Sequence, residues 1–63
     1  MDMYKELIER SLKEKRGLTF FINGQTVAGI VTEILGDEAV AAYNQTFSRI
    51  IIRIDRIDAV AIG

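Results

Sequence analysis

The chain contains no cysteine, no histidine, no proline and no tryptophan. Without cysteine there is no disulfide to staple the fold and no thiolate to act as nucleophile or ligand. Without histidine the usual zinc sets cannot be assembled, and the commonest general base is missing. A nucleophile–base arrangement is therefore out of reach, and no catalytic residue, metal site or cofactor is expected. Long apolar runs are also lacking, so no bilayer span is expected. Met1 to Arg16 is charged throughout and has no signal-peptide core, which points to a soluble, cytoplasmic protein without a membrane partner.

What is present is a short and apolar chain. Its 63 residues make one domain, 1–63. A domain of this size buries little of its surface and often needs a disulfide, a metal or a partner copy. The first two are excluded, and 49% of the residues are hydrophobic, so association with further copies is expected. The net charge of −1 excludes a general electrostatic grip on nucleic acid. Any such contact has to come from a local cluster.

The pattern centres on Asn23-Gly24. Leu18 to Ile22 and Gln25 to Leu35 are β-rich runs on either side of it, the strongest short-range hairpin signal. Gly29 sits inside the long second run, where glycine marks a bend or a close backbone approach. Bending on that glycine curls a small sheet towards a barrel. Upstream, Asp2 can cap a helix running to about Lys15. Tyr4, Leu7, Ile8 and Leu12 share one face of it, with Ser11 beside them. Glu6–Arg10 and Glu9–Lys13 are four-apart pairs in the favourable order. Lys13, Lys15 and Arg16 suit the negative end of the helix dipole, and Gly17 is a good stop.

Downstream, Gly36-Asp37 makes a turn and Glu38 to Tyr43 a third strand. Asn44 to Thr46 turns again, and Phe47 to Arg53 reads as the fourth strand. Ile54 to Arg56 is a short connection of 3₁₀ type, and Ile57 to Ile62 the fifth strand. The expected fold class is mostly β: a helix within 1–16, then a strongly bent, five-stranded antiparallel sheet over 18–62, as a small open barrel. Ile50, Ile51 and Ile52 place large side chains on both faces of the fourth strand; the chain has no proline, and the triple isoleucine is not blunted. Two readings stay open: a strand buried on both sides in one subunit, or one that pairs with the fifth strand of a neighbour. The second is preferred in so short a chain. Repeated head to tail, it closes a ring or grows a filament. Ile50, Ile51, Ile52, Val60 and Ile62 are the expected interface.

This arrangement resembles the Sm-like (LSm) family, and within it bacterial Hfq, over nearly the whole chain. The segment Ile22 to Val31 matches the first Sm motif as Asn-Gly-x-x-hydrophobic-x-Gly-x-hydrophobic. Ile52 to Ile57 matches the second in part: Arg53 and Ile57 fit, while Ile54 and Arg56 replace its glycine and asparagine. The resemblance implies a homo-oligomeric ring of about five to seven subunits. It implies single-stranded RNA at the inner rim, in a chaperone or regulatory role, and no DNA specificity. The RNA-contacting segment after the second strand aligns with Asp37 to Ala41, where Ala41 stands in place of the uracil-reading asparagine.

Beside this resemblance, Arg53 and Arg56 are the best RNA candidates from the residues alone, as a basic rim repeated once per subunit. The plainer reading pairs Arg53 with Asp55, Asp58 or a neighbour's acid, and it carries slightly more weight. Arg49 and Tyr43 can stack on bases, although a tyrosine at a strand end is more often just half-buried. With Asp37, which the resemblance alone supplies, the expected RNA-binding set is Arg53, Arg56, Asp37, Arg49 and Tyr43. Lys13, Lys15 and Arg16 form a second, more ordinary basic patch. Asn23 and Gln25 can reach bases from the hairpin tip. The alternative function is a structural or protein-interaction ring that has lost the uridine pocket.

Overall fold

The computed structural model describes residues 3–63. Asp2, the expected helix cap, lies outside them. Helix α1 spans Met3–Glu14, β1 Gly17–Ile22, β2 Gln25–Leu35, β3 Ala39–Tyr43, β4 Ile50–Arg53 and β5 Ala59–Ile62. A 3₁₀ turn, Ile54–Arg56, joins the last two strands. The sheet is antiparallel with strand order β4-β3-β2-β1-β5. Helix, five strands and 3₁₀ turn therefore stand in the expected order. The sheet is not closed into a barrel: β4 pairs only with β3, and β5 only with β1.

Strand β2 explains the shape. Its first half, Gln25 to Ile30, pairs with β1, and its second half, Ile30 to Leu35, pairs with β3. The register shifts between Val31 and Glu33, which leaves Thr32 as a bulge residue. A bulge adds twist and bends a strand. Two half-sheets thus meet along one strand, β5-β1-β2 and β2-β3-β4. Gly29 lies next to that junction. A Cβ there would stand 2.9 Å from the Tyr43 carbonyl oxygen and 3.4 Å from the Ala42 Cβ, so the expected close approach is real. The turn also follows expectation, since Asn23 and Gly24 have φ of 51° and 79°.

The core lies between α1 and one face of the bent sheet. Ile8, Leu18, Phe20, Val31, Val40, Ile52 and Ile54 form its buried cluster, with Tyr4, Leu7 and Leu12 packed against it. The helix stripe therefore docks as its spacing predicts. Ser11 is fully buried and is the polar rivet of that contact. Its Oγ donates to the Arg16 carbonyl at 2.6 Å and accepts the Val31 N–H at 3.1 Å. Val31 lies one residue beyond the end of the β1–β2 ladder, so the helix supplies the acceptor that β1 no longer offers.

Several boundaries differ from expectation. The helix is not stopped by Gly17, which instead opens β1. Lys15 takes the left-handed conformation, φ 55°, held by the Arg16 N–H to the Ser11 carbonyl and by the Ser11 hydroxyl on Arg16. Arg10 pairs with Glu14 rather than Glu6, at 3.7 Å. Strand β3 begins at Ala39, because the Glu38 N–H closes the preceding turn on the Leu35 carbonyl. Strand β4 begins at Ile50 rather than Phe47. Asn44 Oδ1 accepts the N–H of both Thr46 and Phe47, and the Asn44 N–H donates to the Phe47 carbonyl. Those bonds fold the segment into a side-chain-held turn. Strand β5 begins at Ala59 rather than Ile57, whose N–H is spent on the 3₁₀ turn.

Candidate nucleic-acid interface

The 3₁₀ turn places the two arginines. Arg53 ends β4 on extended backbone, with φ −74° and ψ 129°, and Arg56 closes the turn before the chain enters β5. The turn is anchored rather than loose. Ile54 is buried, the Ile54 N–H donates to the Glu38 carbonyl at 2.8 Å, and the Asp58 N–H donates to the Phe21 carbonyl at 2.8 Å. Asp58 also accepts the Asn23 N–H through its carboxylate at 2.9 Å. The connection between the two edge strands is thus tied to both hairpins.

Of the five residues singled out from the sequence, Asp37 and Arg53 come together. With Glu38, Ala39 and Asp55 they line a cleft of about 480 Å³. Arg53 Nη2 lies 2.9 Å from Asp55 Oδ2, the partner that the plainer reading gave it. Both side chains are more than half exposed, at 64% and 63%, so the pair opens at little cost. Asp37 pairs with Lys5 at 2.9 Å. Arg56 lines an adjoining cleft of about 520 Å³ with Ile22, Asn23, Gln25, Asp55 and Asp58. Among the described residues it has no ion-pair partner.

Tyr43 and Arg49 lie elsewhere. They belong to the far end of the β3–β4 pair, since Ala39 is the residue opposite Arg53. Arg49 faces Glu33 at 3.6 Å, and Tyr43 lines a separate cleft with Leu12, Lys15 and Ile30. Ala41 is fully buried and offers no side chain to a ligand. Ile52 is also buried, in the core of its own subunit, whereas Ile51 is 52% exposed and Ile50, Val60 and Ile62 are half-buried.

Two contributors were missed in the sequence, Lys5 and Glu33. Lys5 reaches Asp37 across 32 positions, a separation at which no spacing rule operates. Glu33 meets Arg49 only because β2 and β4 flank β3 in the sheet. Among the described residues no group of acids could hold a metal ion, and no helix is long and apolar enough to cross a membrane. The chain matches no protein-family model, no curated protein and no solved structure.

Proposed function

We propose that this chain is an Sm-like, ring-forming protein of the cytoplasm that holds single-stranded RNA at its pore, as a chaperone or regulator. One observation carries the reading: β4 and β5 are unpaired on opposite edges of the sheet, and the segment joining them bears Arg53 and Arg56. Pairing of β4 with β5 of the next copy brings that segment to every subunit boundary. A ring then repeats the two arginines once per subunit, which supplies a local positive rim on a chain of net charge −1. Phosphate contacts of this kind are strongly salt-dependent and poor in sequence information.

Fluorescence anisotropy with U-rich and A-rich RNA oligomers at low salt tests the proposal. Binding at or below the order of tens of micromolar protein is expected, weakening as salt rises and abolished by Arg53→Ala together with Arg56→Ala. Absence of binding to either oligomer refutes the RNA part.

A second reading has its own support. Arg53 is already paired with Asp55, and Asp37, Glu38, Asp55 and Asp58 surround the two arginines. Such an acidic setting suits a ring that binds protein instead. Capture from lysate with and without nuclease separates the two: RNA-dependent partners vanish with nuclease, and direct protein partners persist.

A further inference from the structure

The chain has two asparagines, and their turns hold them differently. The Asn44 carboxamide accepts two hydrogen bonds at Oδ1 and donates one from Nδ2, and Gln45 follows it. Asn23 is exposed, and Gly24 follows it. The Asn23 backbone N–H donates to the Asp58 carboxylate. Among the described residues, its carboxamide has no hydrogen bond, and neither does the Gly24 N–H. A Cβ built on Gly24 would meet nothing within 4 Å, so the space around it is open. Asn23 and Gly24 have φ of 51° and 79° and lie between the paired residues Ile22 and Gln25. Positive φ at both central positions of a two-residue hairpin loop defines a type I′ turn.

We propose that Asn23 is a self-modification site, converted without an enzyme to aspartate or isoaspartate through the Gly24 nitrogen. The Gly24 amide loses its proton to solvent hydroxide and attacks the Asn23 Cγ. The new C–N bond closes a cyclic imide, and Nδ2 leaves as ammonia after taking a proton from water. Water then adds to one imide carbonyl and opens the ring. Addition at Cγ gives aspartate, and addition at the main-chain carbonyl gives isoaspartate. Nothing is oxidised or reduced: an amide and water become a carboxylate and ammonium. Ring closure needs the Gly24 nitrogen eclipsed with the Asn23 Cβ, which for an L-residue falls at a ψ of about −120°, the value at the first central residue of a type II′ turn. Type II′ is the other favoured two-residue hairpin loop, and it shares positive φ at that residue. Asn23 therefore keeps its φ while the Asn23–Gly24 peptide plane turns over, and Gly24 tolerates either sign of φ. Among the described residues the flip breaks no backbone bond, since neither the Gly24 N–H nor the Asn23 carbonyl has one. The bond to Asp58 lies on the other side of Asn23 and is kept. The product adds a carboxylate to the cleft that Asp55, Arg56 and Asp58 already line. This inference stands apart from the function proposed above.

The test incubates the full chain at mildly alkaline pH, both folded and in denaturant, and follows both asparagines by peptide-mapping mass spectrometry. In the folded chain Asn23 is expected to convert to two products of equal mass that separate by chromatography, at a rate that climbs with pH. Asn44 stays intact in the same folded sample. On ion exchange the aspartate product co-elutes with the Asn23→Asp variant, and the Asn23→Gly variant shows no new species. Circular dichroism verifies that the incubated chain is still folded. A folded chain whose Asn23 survives while the denatured chain converts shows that the turn shields the residue, and overturns the proposal. Survival of Asn23 in both states, or conversion of Asn44 as fast as Asn23 in the folded chain, overturns it as well.

Discussion

The half-sheet β5-β1-β2 and the half-sheet β2-β3-β4 share a strand but are turned by different means. The first reverses on Asn23-Gly24, with left-handed backbone at both positions. The second reverses between Tyr43 and Ile50, where the Asn44 side chain does the folding. Its Oδ1 accepts two N–H groups of its own turn, and its Nδ2 donates to the Ala28 carbonyl on β2 at 2.7 Å. A backbone-driven turn is written in two adjacent letters. The Asn44 turn is written in one side chain that bonds its own turn and, once, a neighbouring strand. The contrast teaches that the second reversal is also bonded, through the Asn44 Nδ2, to the strand that both halves share.

Breaking the junction between the halves carries the largest expected effect. Gly29→Ala puts a Cβ 2.9 Å from the Tyr43 backbone oxygen, which a flexible side chain cannot relieve. The expected cost is about 2–3 kcal/mol, read by chemical denaturation at fixed protomer concentration. Ser11→Ala comes next, at about 1–3 kcal/mol, because it leaves the buried Val31 N–H without an acceptor. Asn44→Ala removes three bonds from a solvent-facing turn and is expected to cost about 1–2 kcal/mol. Asn23→Gly keeps the left-handed turn and changes stability by about 0.5 kcal/mol or less. If Asn44→Gly proves as harmless as Asn23→Gly, the two reversals do not differ in kind.

Legibility in the sequence followed the same divide. Asn23-Gly24, the turn at Gly36, the close approach at Gly29 and the 3₁₀ turn at Ile54–Arg56 were all readable, because each is a local backbone demand on a residue type. The starts of β4 and β5 were not. Phe47 and Ile57 have strand-forming composition, but turn bonds to Asn44 and to Ile54, each three residues back, withdraw their N–H groups from the ladder. Ser11 fell on the apolar helix face, yet nothing nearby in sequence marks it as an acceptor for Val31. At the candidate site, Arg53–Asp55 was within reach of a local reading. Lys5–Asp37 and Arg49–Glu33 exist only after the sheet has formed.

The Ser11–Val31 bond has a consequence for measurement. The Val31 amide is sheltered by an oxygen on α1 rather than by a neighbouring strand. Its deuterium uptake therefore clocks the helix lifting away while the strands stay zipped. One resonance separates lid detachment from global unfolding.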